Sequence, residues 1–180
     1  MLPQFALYAA EGLIMCMVNL PIFLAILRFQ SVRTRKEYLL VVAWALSDGL
    51  DGLGYLTAGA WRSWLIYRGE AGKFVSRWDC LLTPWTVLWV FYDHTYGPLL
   101  ALIGLDRCLA VHQPLRHYKW GLTYAYLLLG LAYLPGLLPM SAVAVYNFVE
   151  FRAVEDVPRI CFSEFVYTAT YVLQCYLHTS

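Results

Sequence analysis

Four long apolar runs decide what this chain can fold into: residues 5–29, 38–60, 81–111 and 122–146. A helix needs about 20 predominantly apolar residues to cross a bilayer, and each run supplies them. A fifth run begins near residue 162, with too few residues before Ser180 for a comfortable span. The chain is 61% hydrophobic and 14% charged, against roughly 45–50% and about 25% in soluble domains. The excess lies in blocks, so the expected fold is an all-α, polytopic transmembrane helix bundle forming one domain over residues 1–180. Trp, Tyr and Phe make up 17% of the chain, which fits the aromatic belts at membrane interfaces. The net charge of +1 leaves no broad basic surface for nucleic acid. No Lys or Arg precedes Arg28, so the first run lacks the positive start of a signal peptide and is expected to be a retained span.

The third run would extend roughly 46 Å as one helix at about 1.5 Å per residue. That exceeds the roughly 30 Å hydrocarbon core, so a tilted helix or an end in the interface is expected. Pro98 lies inside it and removes one helical hydrogen bond. Charge does not orient the bundle: seven Lys or Arg follow spans one and three, and six follow spans two and four. Cysteine positions say more. Cys80 precedes span three and Cys161 precedes the fifth segment, and odd-numbered spans begin on the same side. The two therefore share a compartment, either as a bridge on an oxidising, extracellular side or as two free thiols.

Ionisable groups inside spans are costly and mark function or an interior contact. Span two holds Asp48 and Asp51, three apart and so on one helical face. Span three holds Asp93 and His94. Trp89 stands eighteen residues before Arg107, a whole number of turns at about 100° per residue, and Trp85 and Asp93 lie within about 40° of that direction. Trp85, Trp89, Asp93 and Arg107 are expected to share an inward face whose outer end walls a ligand cavity. The same pattern also describes an aromatic packing stripe. Asp106 and Arg107 end the run as a charged pair, followed by Pro114-Leu115-Arg116-His117-Tyr118. Alone, such a pair reads equally well as interfacial charges reaching water. The glycines of span two, including Gly49, Gly52, Gly54 and Gly59, allow close helix contact. His94, His112, His117 and His178 show no metal spacing, and no Cys-x-x-Cys pair, phosphate loop or nucleophile motif occurs. The expectation is a protein that is not an enzyme and holds no metal or organic cofactor.

Several marks occur in an order that resembles rhodopsin-like (class A) G-protein-coupled receptors. Asn19 resembles the Asn of their first helix, and Asp48, after Ala45-Leu46-Ser47, the Asp of their second. Asp106-Arg107-Cys108 resembles their Asp-Arg-Tyr motif, with Cys in place of Tyr, and Pro114-Leu115-Arg116 their second intracellular loop. Arg35-Lys36-Glu37-Tyr38-Leu39-Leu40 and Thr83-Pro84-Trp85 are similar to nematode serpentine chemoreceptors.

The resemblance implies an extracellular Cys80–Cys161 disulfide, an extracellular N-terminus and a plasma-membrane location. It implies an unidentified small-molecule or peptide ligand among the outer helix halves, with Trp85, Trp89 and Asp93 in contact. It implies a sodium ion or water network at Asn19 and Asp48, and a switch at Asp106 and Arg107 facing a heterotrimeric G protein. It also implies the first four to five helices of a seven-helix receptor, hence a fragment without helices six and seven.

Departures are visible. Cys80 stands about two residues further from Arg107 than the pattern expects, span four lacks its usual Trp, and Tyr96 stands where a small polar sodium-site residue is expected. Three other readings stand beside the receptor. One is a small transporter or channel subunit using Asp48, Asp51, Asp93 and His94. Another is an intramembrane metal hydrolase built on the same groups. The third is a truncated receptor that acts only by pairing with a full-length partner.

Overall fold

The computed structural model describes residues 2–30 and 35–162. Six helices and two short strands follow in chain order: α1 (Leu2–Arg28), α2 (Lys36–Tyr67), β1 (Phe74–Ser76), α3 (Arg77–Leu81), α4 (Pro84–His112), α5 (Pro114–Lys119), α6 (Leu122–Phe151) and β2 (Glu155–Pro158). The described residues are all-α apart from that one strand pair. The expected fifth segment lies outside the described residues.

Among the described residues three helices, α1, α2 and α6, are long and apolar enough to cross a membrane, compatible with an integral membrane protein. Helix α4 is as long as α1 and α6 but less apolar. Its middle carries Tyr92-Asp93-His94-Thr95-Tyr96, and it packs against both α2 and α6. Little of α1 is covered: Leu7, Ile14, Met17 and Leu24 are more than half exposed. A row of such side chains is at home in lipid rather than in water.

The bundle is held by close backbone approaches. A Cβ on Gly12 would stand 2.3 Å from the Leu56 nitrogen and 2.5 Å from the Gly52 oxygen. One on Gly59 would stand 2.6 Å from both the Ala9 nitrogen and the Phe5 oxygen. Without those side chains, α1 and α2 dock along most of their lengths, as small residues allow in membrane helices. Gly136 of α6 does the same for α4, where a Cβ would meet Thr95 Cγ2 at 2.7 Å and the His94 oxygen at 3.2 Å. That carbonyl is the one Pro98 leaves without its helical N–H partner. Ala43, Leu99 and Ala132 form one core cluster between α2, α4 and α6; Leu81, Val90 and Val143 form another.

At one end the loops form a cap. Strands β1 and β2 pair antiparallel, Val75 opposite Val157, with an irregularity before Ser76. Cys80 and Cys161 lie at disulfide distance, their Cα atoms 5.3 Å apart, buried with Val157. Arg77 pairs with Asp156 at 2.6 Å, and Arg159 and Lys73 share Glu70 at 2.5 and 3.3 Å. Cys80 sits on the separate helix α3, begun by the Ser76 side chain accepting from the Asp79 N–H. The break at Leu82–Thr83 takes up the surplus between Cys80 and Arg107.

Candidate functional site

Two polar clusters lie at opposite ends of α4. Near the cap, Tyr8 of α1, Asp51, Tyr55 and Arg62 of α2, and Trp89, Tyr92 and Asp93 of α4 line a cavity of about 220 Å³, together with Phe162. Tyr55 packs edge-on against Trp89 with ring centroids 5.2 Å apart, and Tyr8 lies 5.8 Å from Tyr55. The Trp89 Nε1 is buried without an acceptor, pressed on Gly54, where a Cβ would lie 2.9 Å from it. Asp51 is 6% exposed.

Arg62 closes the outer end of this cavity. It is 1% exposed, and its Nε donates to the Ile160 carbonyl at 2.8 Å. A second guanidinium nitrogen donates to the Cys161 carbonyl. The guanidinium also lies over the rings of Phe5, Trp89 and Phe162 at 5.6, 5.3 and 4.7 Å, a range where ring faces attract cations. One side chain thus ties α2 to the disulfide loop. Arg62 was not expected at the site, because the second apolar run stops at Ala60 while the helix continues to Tyr67.

The expected ligand residues divide. Trp89 and Asp93 line this cavity, with Asp93 on its open side. Trp85 lines a different one of about 670 Å³ beneath the cap, with Trp61, Phe74 and Thr83 among its neighbours. The two tryptophans are four residues apart, about 40° round the helix, and Trp85 packs toward Trp61 at 6.0 Å.

Asp48 lies deeper and accepts from the Tyr92 hydroxyl at 3.3 Å. Tyr92 stacks on Tyr96 at 4.7 Å, so tyrosine rings occupy the surroundings where the resemblance put a small polar residue. Asn19 donates to Met15 of its own helix at 3.1 Å and makes no hydrogen bond to Asp48. His94 is 2.7 Å from the Val90 carbonyl of its own helix through Nδ1. Among the described residues, no three His, Cys, Asp or Glu side chains are grouped to hold a metal ion.

At the far end, Asp106 and Arg107 take opposite places. Asp106 is 2% exposed, whereas the Arg107 side chain is half exposed. Sharing of one inward face by Arg107 and Trp85 is therefore not what the fold adopts. Arg107 turns back to Asp106 at 3.3 Å. The other carboxylate oxygen accepts from His117 Nε2 at 2.8 Å. His117 Nδ1 is 3.3 Å from Lys36 Nζ, and that ammonium also donates to the His117 carbonyl. A Lys ammonium only donates, so Nδ1 is the acceptor and Nε2 carries the hydrogen, a tautomer assigned from the network. Trp120 and Tyr124 pack edge-on against the imidazole at 5.4 and 6.1 Å, and both lie within 6 Å of the Lys36 nitrogen. Lys36, Asp106 and His117 thereby fasten α2, α4 and α5 together at one buried point. Helical spacing does not reveal this cluster, because the break at Gln113–Pro114 falls between Asp106 and His117.

Compared with known protein families and with curated proteins, the chain matches none.

Proposed function

We propose that this chain is a ligand-sensing membrane receptor of the rhodopsin-like G-protein-coupled type. The carrying observation is the pair at the end of α4: Asp106 buried and bonded to His117, Arg107 half exposed and, among the described residues, held by Asp106 alone. A guanidinium held by one weak contact can exchange that contact for a partner protein's carbonyls at little cost. Fourteen and eighteen residues before Arg107 along the same helix, Asp93 and Trp89 border the cavity under the cap.

In this reading the cap and N-terminus lie outside the plasma membrane, and the Lys36–His117–Asp106 cluster lies inside, facing a heterotrimeric G protein. A ligand in the outer cavity favours one packing of α2 against α4 over another and shifts the population between them. The resemblance in the ordered marks Asn19, Asp48, Asp106-Arg107 and Pro114-Leu115-Arg116 supports the same reading.

The test is guanine-nucleotide exchange by purified heterotrimeric G proteins in membranes containing the protein. Exchange above that of empty membranes, lost with Arg107→Ala while surface expression is kept, is expected. No stimulation from any G-protein class, or full stimulation by Arg107→Ala, refutes the reading.

A further inference from the structure

We propose that the cavity between α1, α2 and α4 is a binding site for a small organic cation, an amine or ammonium with an apolar body, held by the Asp51 carboxylate. Asp51 is 94% removed from solvent by its 6% exposure, and among the described residues no hydrogen bond or ion pair reaches it. The cavity it lines is its open side. A buried carboxylate without a cationic or hydrogen-bonding partner is unfavourable, and within a membrane-spanning helix it marks a functional position. The missing partner is a cation.

The walls say which kind. An inorganic ion wants several oxygen ligands at close range, yet no three acidic, His or Cys groups are grouped for that among the described residues. The neighbours of Asp51 in the cavity are one further carboxylate, Asp93, which adds to the pull on a cation, and Tyr55, Trp89 and Tyr92, whose ring faces attract organic ammonium groups. The volume, about 220 Å³, falls below the roughly 300–1,000 Å³ of sites for drug-sized ligands, so the occupant is small.

Arg62 does not compete for Asp51. It stands eleven residues outward on α2, roughly 16 Å of helix, and its Nε and one terminal nitrogen donate to the Ile160 and Cys161 carbonyls. Its charge makes the outer end unfavourable for a cation, which sets the ligand's amine inward. The site deepens the proposed receptor role by giving the ligand's chemistry.

Binding is measured without G protein, so a failure of signalling and a failure of this site are separate results. The full chain in lipid nanodiscs is titrated with phenethylammonium by ligand-observed NMR, with 2-phenylethanol as the uncharged counterpart. Saturable phenethylammonium binding is expected, at least tenfold tighter than the alcohol, and weakened at least tenfold by Asp51→Asn. That substitution keeps shape and removes no hydrogen bond. Trp89→Leu, which keeps the charge and removes a ring wall, is expected to weaken binding three- to tenfold and carries the test if Asp51→Asn does not fold. Equal binding of amine and alcohol overturns the proposal. So does unchanged affinity in both variants, or displacement by sodium at constant ionic strength, which marks an inorganic-cation site.

Discussion

Replacing His117 tests the buried cluster that holds Asp106. His117→Ala removes the donor 2.8 Å from a carboxylate that is 2% exposed, the acceptor of Lys36, and the ring against Trp120 and Tyr124. A hydrogen bond to a charged group contributes about 1.5–3 kcal/mol, and an aromatic pair adds about 0.5–1.5 kcal/mol. Arg107 stays as a partially exposed partner of Asp106, and the Lys36 bond to the residue 117 carbonyl survives because it is to backbone. The expected loss is therefore about 3 kcal/mol for His117→Ala and about 2 kcal/mol for His117→Phe, which keeps the ring. The assay is equilibrium unfolding in mixed micelles titrated with sodium dodecyl sulfate, followed by circular dichroism. A double-mutant cycle with Asp106→Ala isolates the pair and should give a coupling of about 1–3 kcal/mol. Additive effects, or a His117→Phe protein as stable as the wild type, would refute the claim that His117 holds Asp106.

Two further outcomes follow from the fold. Gly12→Ala drives a methyl into the α2 backbone at 2.3 Å, so α1 must move, at a cost of about 1–3 kcal/mol; the same unfolding assay reads it, and Gly72→Ala, with open space around it, should change little. The Lys73 hydrogen bond and charge, with Arg159 beyond, hold the surface carboxyl of Glu70 below its ordinary value. A depressed folded value means that its contribution is present above the unfolded carboxylate range, about 4.3, and is lost as pH falls through the folded value. Hydrogen exchange at Lys73 and Arg159 should therefore quicken as pH drops below about 4 relative to Glu70→Gln, and identical profiles in the two proteins would count against the pairing.

The long helices were legible because lipid and length leave few alternatives: residues 5–29 correspond to Leu2–Arg28, and 122–146 to Leu122–Phe151. Boundaries failed where polar residues stay helical. Apolarity ends span two at Ala60, before Arg62, because hydropathy treats a buried arginine as loop, yet Arg62 lies eleven residues after Asp51 and so within about 20° of its direction. That periodicity was the available signal. The cap strands were illegible, since Phe74–Ser76 is too short to show alternation and its partner lies some eighty residues away. Helical angles put Trp85, Trp89 and Asp93 on one face, and all three line cavities, Trp85 a different one from the other two, whereas Arg107 is half exposed. They fix direction along one helix and carry nothing about which neighbour packs there. Asp106–His117–Lys36 depends on three separate elements, and only tertiary packing brings it together.

The proposed receptor function requires two-sidedness, with the cap and its cysteine pair outside and the Asp106–Arg107 end inside. Cys108 stands beside Arg107 as an exposed free thiol, while Cys16 is buried. Cys175 is the fifth cysteine of the sequence; with it replaced by Ser, a membrane-impermeant maleimide applied to intact cells should leave Cys108 unlabelled until the membrane is permeabilised. Labelling of Cys108 in intact cells would place Arg107 outside and contradict the account.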